Sequence, residues 1–467
     1  MEAAAKTTVS PSSTEGWRDR KRYLWLIGLV VPSLAFLGYG LHVATGWGVW
    51  FWIGPIVILV VVPAIDLITG LDRSNPPDDV IEALENDRYY RWITYVFLPV
   101  QYAGLVGACW LLAHGDLATV DKIGLAVSIG CIGGIGINTA HELGHKKEAH
   151  ERWLSKIALA QVAYGHFYIE HNRGHHVRVA TPEDPASSRL GESFYRFWPR
   201  TVLGSLRSAW RIEKRRYART KRHPFRLGND VLNAWLMTLV LWGVLVSWLG
   251  VGIAPYLLIQ AVVGFSLLEA VNYMEHYGML RQKVGVGERE RYERVDVSHS
   301  WNSNNIATNV LLYHLQRHSD HHANPTRRYQ ALRDFEESPT LPTGYAGMII
   351  LALVPPLWRR VMDPRVLAHV GGDLSRVNLS PRYATHAEQA PDSGLSTESG
   401  ARSAGIWRPV GGWRCPGCSY VYDVGAGDEH EGFAAGTAWA DIPDDWCCPD
   451  CGVRDKTDFV PVGRVDA

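Results

Sequence analysis

Six long apolar runs constrain the fold of this 467-residue chain more than any other feature. They lie near residues 23–45, 49–69, 92–113, 123–140, 231–250 and 252–273. A helix needs about 20 apolar residues to cross the hydrocarbon core of a bilayer. Segments such as IGPIVILVVVPAIDLI are apolar on every face rather than along one stripe, which argues against the buried helices of a soluble protein. The sequence therefore predicts an all-α integral membrane protein with six transmembrane helices.

The distribution of basic residues predicts how these helices are oriented. Four basic residues precede the first helix: Arg18, Arg20, Lys21 and Arg22. The link to the second helix near 46–48 carries no charge, so we expect the N-terminus to be cytoplasmic. Alternation then places the basic segment 141–229 on the same side. We expect a multi-pass protein of the inner (cytoplasmic) membrane, with both termini and every histidine-rich segment on the cytoplasmic side.

Composition divides the chain into four parts and excludes one class of partner. Residues 1–17 look disordered, 18–383 form the membrane domain, 384–412 are a flexible linker rich in Gly, Ser, Ala and Pro, and 413–467 form a small C-terminal domain. The 47 Lys+Arg balance the 47 Asp+Glu, so nothing in the net charge favours binding to nucleic acid.

Nine histidines gather in four short motifs, which predict metal binding. The motifs are HELGH at 141–145, HNRGHH at 171–176, NYMEHYG around His276, and HSDHH at 318–322. Neutral imidazole is a common ligand for zinc, copper, iron and nickel. One zinc ion takes only three or four protein ligands, so nine donors suit two metals better than one.

Helical spacing indicates which histidines can share a metal. Residues four apart lie on one face of an α-helix, so His141 can pair with His145 and His171 with His175. The three histidines of HSDHH also share a face. His176 points about 100° away from His175 and can reach a second metal.

Four cysteines near the C-terminus form a second predicted metal site. The CPGC motif supplies Cys415 and Cys418, and the CPDC motif supplies Cys448 and Cys451. Two such knuckles indicate a tetrahedral all-sulfur site, which suits either zinc or iron. Cys447 is an additional thiol beside the second knuckle, but Cys448 keeps the C-x-x-C spacing.

This C-terminal sequence resembles rubredoxin. The resemblance rests on CPGCSYVYD, on the Gly432–Phe433 pair, on Trp439 and on IPDDWCCPDC, with aromatic residues where rubredoxins have their core. It implies a short β-sheet and one iron that is held by Cys415, Cys418, Cys448 and Cys451 and carries single electrons. A zinc ribbon with a purely structural role is the alternative.

The rest of the chain, about 20–383, resembles the membrane-bound alkane 1-monooxygenases, a family with a fatty acid desaturase/hydroxylase-like fold. The resemblance rests on HELGHK, on EHNRGHH followed by VATPEDPASSR, on NYMEHYG and on LYHLQRHSDHHANPTRRYQALR. It implies hydroxylation of medium- to long-chain n-alkanes to 1-alcohols, with O2 as co-substrate. The implied ligands of two non-haem irons are His141, His145, His171, His175, His176, His276, His318, His321 and His322.

The same resemblance implies a set of partners. The n-alkane would come from the bilayer lipids, and electrons would come from rubredoxin, here fused to the enzyme. A rubredoxin reductase with FAD would pass electrons from NAD(P)H to the rubredoxin.

Four carboxylates next to the histidines are candidates to accept the second ring N–H of a ligand: Glu142, Glu170, Glu275 and Asp320.

Two other functions remain open from the sequence. HELGH is also the H-E-x-x-H signature of zinc proteases, with Glu142 as general base, although that function leaves the other histidine clusters unexplained. A diiron desaturase or hydroxylase acting on lipid chains suits clustered histidines in a membrane bundle equally well.

Overall fold

The computed structural model describes residues 17–285, 287, 290–381 and 412–462. It confirms the predicted helical membrane fold with a small C-terminal sheet domain. Within these residues, six spans are long and apolar enough to cross a membrane: Leu24–Thr45, Gly48–Thr69, Arg88–His114, Thr119–Gly144, Asp230–Leu249 and Val251–Glu275. The predicted linker at 384–412 lies outside the described residues except for Gly412, as does the predicted disordered N-terminus except for Trp17.

The helices of the membrane domain (17–381) run in this order: α1 (Val30–Thr45), α2 (Ile53–Ile56), α3 (Val62–Thr69), α4 (Ile81–Asn86), α5 (Arg88–His114), α6 (Thr119–Gly144), α7 (Ala149–Ala160), α8 (Phe167–Glu170), α9 (His176–Arg178), α10 (Phe194–Arg219), α11 (Asp230–Leu249), α12 (Ala254–Glu275), α13 (Ile306–Leu311), α14 (His318–Ala323), α15 (Tyr345–Ala352) and α16 (Pro355–His369). Two π-helical turns interrupt this pattern, at Val57–Val61 in the second span and at His171–His175 between α8 and α9.

Helix α6 lies at the centre of the bundle and ends at the histidines. Its glycines allow α12 to pack directly against its backbone. A Cβ atom at Gly130 would lie 2.6 Å from the carbonyl oxygen of Gln260, and one at Gly134 would lie 2.8 Å from that of Gly264. Small residues permit such close approach between helices in a membrane. This packing brings the C-terminal ends of α6 and α12, which carry His141 and Glu275, to the same side of the bundle.

The apolar segment after the last span packs on the bundle. It forms α15 and α16, and Pro355 and Pro356 lie at the start of α16, where a missing N–H costs nothing. Trp358 of α16 and Tyr345 of α15 are fully buried in one core cluster with Tyr273 of α12. A two-stranded sheet, β1 (Lys283–Val284) with β2 (Arg291–Tyr292), lies in the long polar connection before α13.

The C-terminal domain (412–462) is a three-stranded antiparallel sheet with an aromatic core. Strand β3 (Gly412–Arg414) lies between β4 (Val421–Asp423) and β5 (Val460–Val462), with Trp413 opposite Tyr422 and Pro461. The core contains Tyr422, Phe433, Trp446 and Phe459 around the four motif cysteines. Both C-x-x-C knuckles are therefore positioned by one small core.

Candidate metal centres and substrate cavity

The structure brings all nine motif histidines together in two adjacent clusters. Every one of them is buried, and the ligand nitrogens within a cluster lie within 4.8 Å of one another. The first cluster contains His141, His145, His171, His176 and His321, and the second contains His175, His276, His318 and His322. The imidazole rings of His176 and His322 are 4.4 Å apart, so the clusters share a border.

Ring nitrogens converge at the centre of each cluster. In the five-histidine cluster, Nε2 of His176 lies 3.1 Å from Nε2 of His171 and 3.2 Å from Nε2 of His321. The buried Nε2 atoms of His141 and His145 have no hydrogen-bond partner among the described residues. Buried polar atoms are normally satisfied, so a set of lone pairs aimed at one point fits a bound metal ion.

The four-histidine cluster has the same character. Nε2 of His322 lies 2.8 Å from Nε2 of His318 and 3.3 Å from that of His175, while His318 and His276 approach to 3.3 Å. Burial lowers the pKa of His276, His318 and His322 well below its ordinary value. These rings are therefore neutral at physiological pH, the form in which imidazole binds a metal.

A π-helical turn decides which histidines share a cluster. The N–H of His176 donates to the carbonyl oxygen of His171, an i to i+5 bond that replaces the α-helical i to i+4 pattern. His171 consequently shares a cluster with His176, and the expected pairing of His171 with His175 is wrong. In α14 the i, i+4 pair His318 and His322 stays together, whereas His321 lies in the other cluster, so the expectation that all three histidines of HSDHH act from one face is also wrong.

Asp184 orients one of the clustered histidines. Nδ1 of His175 donates to Oδ2 of Asp184 at 2.8 Å, and the Ser187 hydroxyl donates to the same oxygen at 2.7 Å. Burial alone would raise the pKa of Asp184, but His175 and Ser187 hold it well below its usual range. Sequence reasoning missed this residue, although it lies in the VATPEDPASSR motif on which the family resemblance rests.

The four carboxylates expected to support the histidines have different surroundings. Only Glu275 lies against a clustered histidine, with Oε2 3.2 Å from Nε2 of His318. The other three are held by basic side chains at 2.8–3.0 Å: Glu142 by Lys146, Glu170 by Arg178, and Asp320 by Arg327.

An apolar cavity opens between the spans and reaches both clusters. Its walls come from the second span, α6, α12, α13 and α15, and Leu267, Leu268 and Val271 form a stripe along α12. His141, His171 and His318 line one end, together with Glu275 and Tyr345. The lining is almost entirely apolar, which favours an apolar ligand.

The four motif cysteines form a third centre in the C-terminal domain. The sulfurs of Cys415 and Cys451 are 3.8 Å apart, and those of Cys418 and Cys448 are 3.5 Å apart. These separations suit four thiolates around one metal ion. Cys447 stays outside the group, with its sulfur 3.8 Å from the carbonyl oxygen of Asp445.

The C-terminal domain docks on the histidine-bearing side of the membrane domain through ion pairs. Acidic residues of the C-terminal domain pair with arginines of the membrane domain, including Asp450 with Arg152, Glu431 with Arg173, Asp455 with Arg291, and Asp458 with Arg294. Glu431 and Asp458 are buried in the docked chain. Charge complementarity of this kind fixes the relative orientation of two surfaces.

The docking brings the two kinds of metal site close together. Gly452, which follows Cys451, lies against the π-helical turn, because a Cβ atom there would be 2.6 Å from the carbonyl oxygen of Asn172 and 3.4 Å from Cβ of His176. Its φ of 65° also favours glycine. Gly452, which follows Cys451 of the four-cysteine group, therefore packs close to His176 of the five-histidine cluster.

The fold and these sites define a multi-pass membrane oxidoreductase with histidine clusters suited to a diiron centre and a four-cysteine domain suited to one further iron. The fatty acid desaturase family model matches residues 122–352, and the rubredoxin model matches residues 412–459. The chain is 44% identical to Alkane 1-monooxygenase 1 of Alcanivorax borkumensis over 380 residues, which is 81% of this chain and 93% of that relative. It is 44% identical to Alkane 1-monooxygenase of Pseudomonas putida over 374 residues, which is 80% of this chain and 92% of that relative. It is 48% identical to Alkane 1-monooxygenase of Acinetobacter baylyi over 370 residues, which is 78% of this chain and 89% of that relative. This chain belongs to the alkane 1-monooxygenase family.

Proposed function

We propose that this protein hydroxylates the terminal carbon of medium- to long-chain n-alkanes with O2 and with electrons from its own C-terminal domain. One observation carries the proposal. The two histidine clusters lie between an apolar cavity on one side and the docked four-cysteine domain on the other. An apolar substrate and an electron donor can thus reach the same metal centre from opposite directions.

The apolar cavity binds and orients the substrate. A saturated chain offers no group for hydrogen bonding, so its position depends on shape and on burial of apolar surface. The stripe of Leu267, Leu268 and Val271 leads along α12 towards Glu275 at the histidine end. A chain lying along this stripe presents its terminal carbon to the clusters and leaves its tail towards the bilayer.

The histidines hold the metal ions in this proposal. His141, His145, His171, His176 and His321 bind one iron, and His175, His276, His318 and His322 bind the other. Irons bound there supply the activation of O2 and the attack on an unactivated C–H bond, which no side chain can perform. Asp184 keeps the Nδ1 proton on His175, so that Nε2 faces the metal. Glu275 and Tyr345 are polar groups at the same end of the cavity.

The docked geometry supports electron delivery within one chain. The four cysteines hold one iron, as in rubredoxin, and a route to the diiron centre runs through Cys451 and Gly452 and across the non-bonded contact of Gly452 with Asn172 and His176. The tether keeps the donor at roughly millimolar effective concentration. Arg152 and Arg173 orient it through Asp450 and Glu431.

The histidine clusters and the C-terminal domain lie on the cytoplasmic side of the inner membrane in this proposal. The support is the cluster of Arg18, Arg20, Lys21 and Arg22 before the first span and the basic helix α10, because basic residues mark cytoplasmic ends. A rubredoxin reductase with FAD passes electrons from NAD(P)H to the C-terminal domain on that side. The n-alkane enters the cavity from the lipid bilayer.

Product analysis combined with metal analysis tests the proposal. The purified chain in lipid nanodiscs should contain three irons and convert dodecane to 1-dodecanol in the presence of O2, NADH and a rubredoxin reductase. Alkenes as the main product would indicate a desaturase instead. Zinc in place of iron at the histidines, without O2 consumption, would indicate a metalloprotease.

A truncation tests electron delivery separately. Removing 412–467 should leave two irons in the membrane domain and make turnover depend on added rubredoxin. The matched control is the full chain with Cys415→Ser and Cys418→Ser, which keeps the domain but removes the thiolates of the first knuckle. If the truncated chain turns over with the reductase alone, the C-terminal domain is not the donor.

A further inference from the structure

Two buried asparagines line the apolar cavity close to its histidine end. Asn138 lies three residues before His141 on α6, and Asn272 lies three residues before Glu275 on α12. Three residues of an α-helix rise about 4.5 Å, so each asparagine lies about one turn from the end that carries the metal ligands. Two amides thus interrupt the apolar wall just before the histidines.

The packing of α6 on α12 brings the two amides to neighbouring levels of the cavity. Gly134 on α6 lies against the carbonyl oxygen of Gly264 on α12. Four residues further along each helix, Asn138 is level with Leu268, which lies one turn before Asn272. A chain that passes along the cavity therefore passes both asparagines within about one turn of each other.

The hydrogen bonds of these amides determine which atom is left for a ligand. Nδ2 of Asn138 donates to the carbonyl oxygen of Leu312 at 2.6 Å, and Nδ2 of Asn272 donates to Oε2 of Glu269 at 3.1 Å. A carbonyl oxygen can only accept, and Oε2 of Glu269 also accepts from the Thr201 hydroxyl, so neither amide can turn round without losing its bond. Oδ1 of each asparagine remains, without a hydrogen-bond partner in the described part of the chain.

A buried carboxylate holds Asn272 in position. Glu269 is 1% exposed and accepts hydrogen bonds from the hydroxyls of Tyr164 and Thr201 at 2.7 and 2.8 Å, in addition to the bond from Asn272. The two hydroxyls come from the turn after α7 and from α10. Since Glu269 is fixed by two further elements, the Asn272 amide keeps one orientation.

An n-alkane cannot satisfy the two amide oxygens, but its oxidation product can. A buried acceptor without a partner costs free energy, and a saturated chain has no donor. A 1-alcohol combines an apolar tail, which suits the stripe of Leu267, Leu268 and Val271, with one hydroxyl that can donate to an amide oxygen. The alcohol forms at the histidine end, so an outward movement of about one turn brings its hydroxyl to the asparagines.

We propose that Asn138 and Asn272 form a binding subsite for the hydroxyl group of the 1-alcohol product. This inference rests on the proposed function and adds a step after hydroxylation. The hydroxyl donates to Oδ1 of either asparagine and then lies about one helical turn from the metal ligands. A second oxidation would convert the alcohol to the aldehyde with another O2, two electrons and two protons, and would release two waters. The subsite slows it by holding C1 away from the histidines.

Ligand binding without turnover tests the subsite. The oxidised, iron-loaded protein in lipid nanodiscs, without reductant, is titrated with tritiated 1-dodecanol and in parallel with tritiated 1-chlorododecane, which has the same chain but no donor. Asn138→Leu and Asn272→Leu nearly keep the side-chain volume and remove the oxygen. The double variant should bind 1-dodecanol about fivefold more weakly, as expected for the loss of one hydrogen bond, and 1-chlorododecane at least as tightly as the wild type does. Each single variant should show a smaller loss, because either oxygen can accept.

Asn233→Leu is the matched control. Asn233 on α11 also donates its Nδ2 to a carboxylate, that of Asp230 at 3.1 Å, but it is not part of the cavity lining. This variant should bind both ligands as the wild type does. Unchanged binding of 1-dodecanol in the double variant, or equal weakening of both ligands, would overturn the subsite.

A structure of the wild-type protein with 1-dodecanol tests the same position without any variant. Cryo-EM density should place the hydroxyl within about 3 Å of Oδ1 of Asn138 or Asn272. Water at both amide oxygens, with the hydroxyl beside Glu275, would identify water as the occupant and overturn the proposal.

Product analysis separates this inference from the proposed function. During turnover with dodecane, the double variant should form more dodecanal relative to 1-dodecanol than the wild type does, and an unchanged ratio would contradict the slowing of the second oxidation. Absence of any oxidised dodecane from wild-type protein with normal iron content would contradict the proposed function. Normal formation of 1-dodecanol together with unchanged alcohol binding in the double variant would contradict the subsite alone.

Discussion

Nδ1 of His175 donates to Oδ2 of Asp184 at 2.8 Å, and both side chains are almost completely buried. The same carboxylate accepts from the Ser187 hydroxyl and from the N–H of Ala186. Asp184 is therefore fixed by its own loop before it fixes the imidazole. This arrangement selects the tautomer of His175 in which Nε2 is free to face the other three histidines of its cluster.

Replacing Asp184 with Asn should weaken metal binding in the four-histidine cluster. The amide no longer matches the charge and acceptor pattern of the carboxylate, and loss of such a partner typically costs about 10–100-fold in metal affinity or activity. Iron content after dialysis and Mössbauer spectra provide the measurement. The control is Glu183→Gln, an exposed neighbour that contacts Tyr292. Full iron retention in Asp184→Asn would contradict the assigned role.

Leu267 should control the length of alkane that the cavity accepts. It lies eight residues before Glu275 on α12, about 12 Å along the helix axis from the histidine end. Leu267→Phe narrows the distal part, and Leu267→Ala widens it. We expect the ratio of kcat/KM for octane and hexadecane to shift about tenfold in opposite directions. The control Leu258→Ala changes an exposed leucine of the same helix and should leave the ratio unchanged.

Docking of the C-terminal domain should weaken as the pH rises. His430 lies 3.4 Å from Asp230 and 3.4 Å from Glu431, and these carboxylates raise the pKa of His430 although burial, Arg173 and Arg216 oppose them. The contribution of protonated His430 is fully present below its ordinary pKa of about 6.5 and is lost as the pH rises through the raised pKa. The rate of electron transfer from cysteine iron to histidine iron should fall over this window. His430→Gln should remove this part of the pH dependence, and an unchanged profile would contradict the assignment.

Gly130 should be essential for the close packing of α6 on α12. A Cβ atom at this position meets the Gln260 carbonyl oxygen at 2.6 Å and Cβ of Val263 at 2.7 Å. Overpacking of this kind typically costs about 1–3 kcal/mol, so Gly130→Ala should lower the unfolding temperature in nanodiscs. In the control, Gly243→Ala on α11, the added methyl meets no atom of the described residues within 4 Å. Equal thermal stability of the two variants would contradict this packing argument.

Apolar length and ligand spacing were sufficient to predict the six spans, the group of four cysteines and the gathering of the nine motif histidines. Both are local properties, since a helix must be long enough to cross the bilayer and a knuckle needs two cysteines at fixed spacing. The partition of the histidines was not predictable on the same basis. It depends on a π-helical turn at His171–His175, and an α-helical wheel assigns the wrong partner to His171.

Long-range geometry accounts for the remaining differences between expectation and structure. Asp184 is close to His175 because its loop turns back over the cluster, whereas Glu142 and Asp320 are next to histidines in sequence but bind Lys146 and Arg327. Side chains adjacent on a helix point in different directions. The docking of Gly452 on Asn172 likewise depends on the folded surfaces of two domains, which no single motif encodes.

The glycines of α6 also have a consequence for how the protein assembles. Six of its 26 residues are glycine, and each glycine costs about 1 kcal/mol of helix stability in water relative to alanine. In hydrocarbon an unpaired backbone group is far more costly, so the bilayer itself enforces the helix before any neighbour arrives. The conformational freedom of these glycines, which would destabilise a helix in water, therefore costs little in the bilayer. The absence of their side chains leaves the backbone of α6 accessible to α12. The close packing that brings His141 and Glu275 to the same side of the bundle therefore joins two helices that the bilayer itself stabilises.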